Sequence, residues 1–174
     1  ETPKRILRDT KGSLAPRPAP ARGGSVTPYG APYPTRGGTL TPDADQLRRF
    51  AEDYTAAWCS MDPAAVAAHY GQDGSLAING GAPAVGRDAL TAVAASFYEA
   101  LPDMQVFFRD LVVDGDRIEY HWTFTGTNTG PGGTGNAVRM DGFESWTIDE
   151  DGLIANSIGS YDAEEYARQL AEGV

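Results

Sequence analysis

Hydrophobic residues recur along this chain with two periods, and the change from one to the other falls near residue 103. Before it the period is helical. Leu47, Phe50, Ala51, Tyr54, Ala57, Trp58 and Met61 predict a first helix with a wide apolar face. Asp62-Pro63 restarts a short second helix through about Tyr70, with Asp62 as N-cap and Pro63 in the first helical position. Gly71 to Gly86 reads as a strand-and-loop passage that contains Ser-Leu-Ala-Ile and turns at Asn79-Gly80-Gly81. Arg87 to Leu101 forms a third helix with Leu90, Val93, Ala94, Phe97 and Leu101 inward, and Pro102 stops it.

From Asp103 onward the period is two. Met104–Val113, Ile118–Thr125, Asn136–Ile148 and Leu153–Tyr161 read as four strands. Asp114-Gly115-Asp116, a glycine-rich connection and Asp149-Glu150-Asp151-Gly152 join them, which predicts an antiparallel meander. A closing helix follows, with Asp162 as N-cap, Glu165 completing a capping-box-like pattern, and Ala163, Tyr166, Ala167 and Leu170 inward. Helices, then sheet, then a closing helix make an α+β fold: a cone-shaped, curved antiparallel sheet packed against the N-terminal helices.

Charge divides the chain in two. Residues 1–42 hold eight of the twelve prolines and seven basic residues against Glu1 and Asp9. Such a segment cannot bury enough apolar surface to fold alone, so 1–42 is expected to be a Pro/Gly-rich basic arm and 43–174 the folded domain. The domain carries seven arginines, no lysine and twenty-two carboxylates, a poor surface for nucleic-acid phosphates. The arm is expected to pack on its own acidic body or on a partner subunit, with Ile6, Leu7 and Leu14 as anchors. No apolar run is long enough to cross a bilayer, and no charged-then-apolar leader is visible, which points to the cytoplasm. The chain opens on Glu1, so further residues upstream of it are expected.

Candidate chemistry concentrates between Arg117 and Ile148. In its second strand Val138, Met140, Gly142, Glu144, Trp146 and Ile148 share one parity, so a single carboxylate interrupts an apolar stripe. Burial there would raise the Glu144 carboxyl pKa and suit it to proton transfer. The competing arrangement is a buried ion pair with Arg109 or Arg139. Asp141 faces the other side unless a bulge at Gly142 intervenes. His121 falls on the outward parity, beside Glu119 and Thr123, and His69 at the end of the short helix reads as a helix-end or core residue. Two histidines without ligand-like spacing predict no metal site. No cofactor motif is present: the connection Gly126 to Gly135 joins strand to strand and no lysine closes a phosphate loop. It is expected to lie over the pocket entrance. Cys59, within a helical pattern, reads as a packed small residue.

The order and spacing of several segments resemble the SnoaL-like polyketide cyclases, within the nuclear-transport-factor-two-like superfamily. The similar pieces are Ala-Ala-Trp in the first helix, Gly86-Arg87-Asp88-Ala89-Leu90, Val113-Asp114-Gly115-Asp116-Arg117-Ile118, Trp122 through Gly130, Thr134-Gly135, Asp151-Gly152-Leu153-Ile154 and Tyr161-Asp162. The resemblance spans about Asp43 to Glu172 and implies the cone fold. It also implies a site. Glu144-Ser145-Trp146 resembles the family's Asp-x-aromatic step, where cyclases place an acid/base group. Asn128 stands where many of these cyclases carry a histidine; it can orient a carbonyl but cannot shuttle protons, and shaping the hairpin mouth is its competing role. Asp162 resembles the aspartate that the superfamily's epoxide hydrolases use, though capping also accounts for it. The isomerase base would fall near Ile78-Asn79, where no acid stands.

The catalytic candidates are therefore Glu144, Asn128 and Asp162, and the pocket liners Tyr54, Trp58, Phe97, Tyr120, Trp122, Phe124 and Trp146. An aromatic pocket with one buried acid implies a hydrophobic small-molecule ligand, polyketide- or terpenoid-like with an enolisable carbonyl, and acid/base chemistry without a cofactor. The alternative is a non-catalytic ligand-binding or assembly domain. Related folds often dimerise through the outer side of the sheet, and a homodimer is expected here.

Overall fold

The computed structural model describes residues 43–174; the arm assigned to residues 1–42, with its anchors, lies outside the described residues. Four helices and six strands follow in the order α1 (Ala44–Cys59), α2 (Pro63–Ala67), β1 (Tyr70–Ile78), β2 (Ala84–Val85), α3 (Arg87–Ala100), β3 (Gln105–Asp114), β4 (Arg117–Thr127), β5 (Ala137–Ile148), β6 (Ile154–Tyr161) and α4 (Ala163–Glu172). Short polar side chains start three of the helices. Asp43, Asp62 and Asp162 each accept a hydrogen bond from a first-turn backbone N–H, which satisfies donors the helix cannot pair internally.

One sheet carries all six strands in the order β2-β1-β6-β5-β4-β3. The antiparallel meander from β3 to β6 is present as expected, with Tyr120 opposite Glu144 and Trp146 opposite Ser157. The passage after the short helix adds β1, and β1 pairs with β6 in parallel. That parallel junction is possible because the chain between them, from α3 through β5, forms a long crossover. Register shifts interrupt β1 between Tyr70 and Ser75, β3 between Phe108 and Asp110, and the β5–β6 pair at Thr147/Ile148. Such bulges add local twist and bend the strands.

The core lies between the inner face of the sheet and α1 to α3. Leu47, Phe50, Ala51, Tyr54, Ala57 and Trp58 of α1 are buried, as the helical period predicts. The closing helix differs from its expected orientation. Tyr166 and Gln169 are its buried residues, while Ala163 and Ala167 are exposed. Gln169 turns inward because its Oε1 accepts the Arg139 backbone N–H at 2.7 Å, a polar tie between α4 and β5 that hydrophobic periodicity cannot register.

Gly142 shows how tightly the inner face is closed. The β4–β5 register runs through it without a bulge, so Asp141 and Glu144 do point to opposite faces. A Cβ at residue 142 would run into the Trp122 indole and would stand 2.7 Å from the Ser160 carbonyl oxygen. Glycine is required there for space, and it lets the Trp122 ring lie across β5.

Candidate active site

Glu144 lies in the wall of an apolar cavity of about 50 Å³. Trp58 of α1, Phe97 of α3, and Tyr120, Trp122 and Phe124 of β4 line it. Leu76, Ile78, Met104, Val106, Gly159 and Tyr161 complete the wall, and Glu144 is the one carboxylate among the lining residues. The space is small. Ile78, Phe97 and Tyr161 in its wall are only half-buried.

Glu144 is only 6% exposed, yet no salt bridge reaches it among the described residues. Neither Arg109 nor Arg139 serves as its partner. Neutral donors surround it instead. The Trp146 indole N–H donates at 3.0 Å, the Ser157 hydroxyl at 2.7 Å, and the Tyr54 hydroxyl at 3.2 Å and 3.4 Å to the two oxygens. The Tyr54 hydroxyl in turn lies 2.9 Å from that of Tyr70. Burial raises the Glu144 pKa above the ordinary carboxyl value, and the donors pull against that rise. Burial first, then the charge of Glu144, holds the Tyr54 and Tyr70 phenols well above their usual range, so both remain donors.

The local sequence explains the arrangement. Glu144 and Trp146 are two residues apart on one strand and share its inner face. Ser157 on β6 lies directly across from Trp146, and Gly159 lies across from Glu144, with the carboxyl stem in van der Waals reach of it. Tyr54 and Trp146 pack edge to face with ring centroids 5.4 Å apart, and Tyr120 stacks on Trp146 at 4.8 Å.

Of the expected liners, Trp58, Phe97, Tyr120, Trp122 and Phe124 border the cavity, whereas Tyr54 and Trp146 lie behind Glu144 as hydrogen-bond donors. Asn128 and Asp162 are not brought to this site. The Asn128 amide donates to the Thr134 hydroxyl at 3.1 Å, and its backbone pairs with Asn136 and Gly135, both at 2.8 Å, closing the β4–β5 connection. That connection docks on the ends of α3 and α4, and none of its residues lines the cavity. Asp162 is exposed and accepts the Glu164 and Glu165 backbone N–H groups at 3.1 Å and 2.9 Å. Where an isomerase base would stand, Ile78 lines the cavity and the Asn79 side chain accepts the Tyr161 N–H at 3.0 Å.

Tyr70 and Ser157 were not among the residues singled out by sequence. For Ser157 the signal was masked by a bulge: Ile154 and Ile158 share a parity that alternation would set inward, but the shift at Thr147/Ile148 leaves Ile154 buried and turns Ile158 outward.

A six-stranded sheet packed against helices, with a buried acid in the wall of an apolar cavity, makes this an α+β domain. Residues 51–157 match the sequence model of the SnoaL-like domain, and the chain belongs to that family. No curated protein matches its sequence. Among solved structures, a putative SnoaL-like polyketide cyclase from Jannaschia sp. CCS1 aligns with a TM-score of 0.67 at 16% identity, covering 79% of this chain and all 100% of that one. TsrD from Streptomyces laurentii aligns with a TM-score of 0.64 at 23% identity, over 74% of this chain and 97% of that one. AclR, a putative hydroxylase from Streptomyces galilaeus, aligns with a TM-score of 0.64 at 18% identity, over 75% and 83% respectively. At these identities the likeness is one of fold, and a fold does not fix a reaction.

Proposed function

We propose that this domain is a cofactor-independent acid/base enzyme of the cyclase or isomerase type, acting on a compact hydrophobic carbonyl compound. One observation carries the reading: Glu144 is a buried carboxyl with no cationic partner among the described residues, set in the wall of an apolar cavity. A carboxylate in that position takes a proton from the carbon next to a carbonyl. The C–H bond breaks, an O–H bond forms on Glu144, and the electron pair moves to the carbonyl oxygen as an enolate. Returning the proton to a different carbon gives an isomer. If the enolate carbon instead attacks a second carbonyl of the same molecule, the Glu144 proton passes to the new alkoxide, and the product is a ring of unchanged composition. The Trp122 indole N–H, on a residue that lines the cavity, is buried with no acceptor among the described residues, and a ligand carbonyl that reached it would satisfy it.

The test is proton exchange. Candidate ketones and diketones incubated with the protein in heavy water should gain deuterium beside the carbonyl, followed by NMR, and Glu144→Gln should slow this by about 100-fold or more. Equal rates in the two proteins sink the assignment. The second reading, a ligand-binding domain without catalysis, is favoured by the cavity holding one carboxylate while Asn128 stands elsewhere. It predicts saturable binding with exchange no faster than in buffer. A homodimer through the outer face of the sheet, where Phe107 and Ile158 are exposed, accords with either reading.

A further inference from the structure

The donors around Glu144 are not shared evenly between its two oxygens. Oε2 receives the Ser157 hydroxyl at 2.7 Å, the Trp146 indole at 3.0 Å and the Tyr54 hydroxyl at 3.2 Å. Of these three donors only the Tyr54 hydroxyl also reaches Oε1, at 3.4 Å, while the Tyr70 hydroxyl adds a further hydrogen bond to the carboxyl. An indole N–H donates and cannot accept, so a proton on the oxygen that faces Trp146 would have to point at Ser157 or Tyr54, each of which already donates to it. The tyrosines reinforce that direction. With the Tyr54 proton given to Glu144, its oxygen is free to accept from Tyr70, so the chain runs from Tyr70 through Tyr54 to the carboxyl.

We propose that Ser157 and Trp146 are positioning residues that fix Oε2 of Glu144 as a permanent acceptor and leave Oε1 as the one atom that exchanges a proton with the ligand. This rests on Glu144 being the acid/base group. It makes the site single-ended: the carboxyl cannot turn over without breaking three hydrogen bonds, so the ligand meets one oxygen in one orientation. Among the described residues the lining includes no lysine, arginine or histidine to offset a ligand's negative charge beside that carboxyl, which favours a neutral carbonyl compound over a carboxylate or phosphate ester.

The infrared carbonyl stretch of protonated Glu144 reads this directly, identified as the band that titrates in the full chain and is missing from Glu144→Gln. If Oε2 is the carbonyl oxygen, removing one of its donors in Ser157→Ala or Trp146→Phe moves the band to higher wavenumber. The midpoint of its titration then rises by about one pH unit, the worth of one charge-assisted hydrogen bond. Two variants are used so that a folding defect in one leaves the other decisive. A band and midpoint unmoved in the folded variant would overturn the proposal, because the proton would then sit on Oε2 or the donors would not govern it. The acid/base reading is judged separately, by the deuterium exchange of Glu144→Gln. Positioning can therefore fail while catalysis by Glu144 stands, and the reverse.

Discussion

Glu119 and Glu144 belong to adjacent strands of one sheet, one residue out of register, and meet opposite fates. Glu119 faces outward. Arg117 donates to it at 2.5 Å and 3.1 Å and His121 lies 3.2 Å away, and the Arg117 hydrogen bond holds its pKa below the ordinary carboxylate range. Glu144 faces inward, meets only neutral donors among the described residues, and burial pushes its pKa the other way. The difference lies in the surroundings, because the side chains are identical. A cation near solvent offsets a carboxylate's charge, whereas indole and hydroxyl donors in a dry pocket only partly replace the water that burial removes. An acid held this way is ready to exchange a proton. One held by arginine is not.

The largest test of the inner face is steric. Gly142→Val places a branched side chain against the Trp122 indole and the Ser160 carbonyl, and should cost about 3 kcal/mol or prevent folding, read by urea unfolding. The outward neighbour gives the contrast. Asp141→Asn keeps an acceptor for the buried Thr123 hydroxyl on the outer face and should cost about 1 kcal/mol or less by the same measurement.

The second test uses charge on the inner face. The raised pKa of Glu144 means that the folded protein holds this proton more tightly than the unfolded chain does. Its favourable contribution is fully present below the ordinary carboxyl value of 4.5 and is lost as pH climbs through the raised folded value. Glu144→Gln imitates the protonated state, with its carbonyl oxygen able to take the place of Oε2 and its amide that of Oε1. Thermal melting should therefore show the variant gaining on the wild type as pH rises from 4.5 toward neutrality, and no gain below it. A gap that stays constant across that range would mean that Glu144 is not the buried titrating group.

Asp162 offers a carboxylate of a third kind, engaged by backbone N–H groups at the start of α4. Asp162→Ala should lower stability by about 1 kcal/mol, as loss of an N-cap does, and leave deuterium exchange unchanged. A fall in exchange in the folded variant would return Asp162 to the site.

How far the sequence reaches follows the physics of each feature. Helical period and alternation depend on local geometry, so the buried face of α1, the meander and the inward direction of Glu144 could all be read from Arg117–Ile148 and its neighbours. Ser157 could not, because a bulge reverses the parity of β6 at a point no local pattern marks. Tyr70 reaches Tyr54 and Glu144 only once β1 joins β6 in parallel, a pairing between strands some 80 residues apart in sequence. Gln169 defied the apolar rule by making a specific backbone hydrogen bond. Asn128 and Asp162 were drawn in by family resemblance, which carries positions but not surroundings; here their partners are a threonine hydroxyl and two helix N–H groups.

The smallest expected effect falls on the outer face and has the opposite sign to that of Glu144. Glu119 is held in its charged form, so its contribution is present above the ordinary carboxyl value and disappears as pH falls through the lowered folded value. Glu119→Gln should therefore weaken the fold near neutrality and become indistinguishable from the wild type in acid. The pair is only partly shielded, since the Arg117 side chain is 67% exposed, so solvent and salt screen it and the loss should stay under about 1 kcal/mol. Raising the salt concentration should shrink the Glu119→Gln difference while leaving the Glu144→Gln gain in place, because a buried carboxyl without a cation has no exposed ion pair to screen. If both differences faded equally with salt, the two faces would not be electrostatically distinct environments, and the contrast between Glu119 and Glu144 would fail.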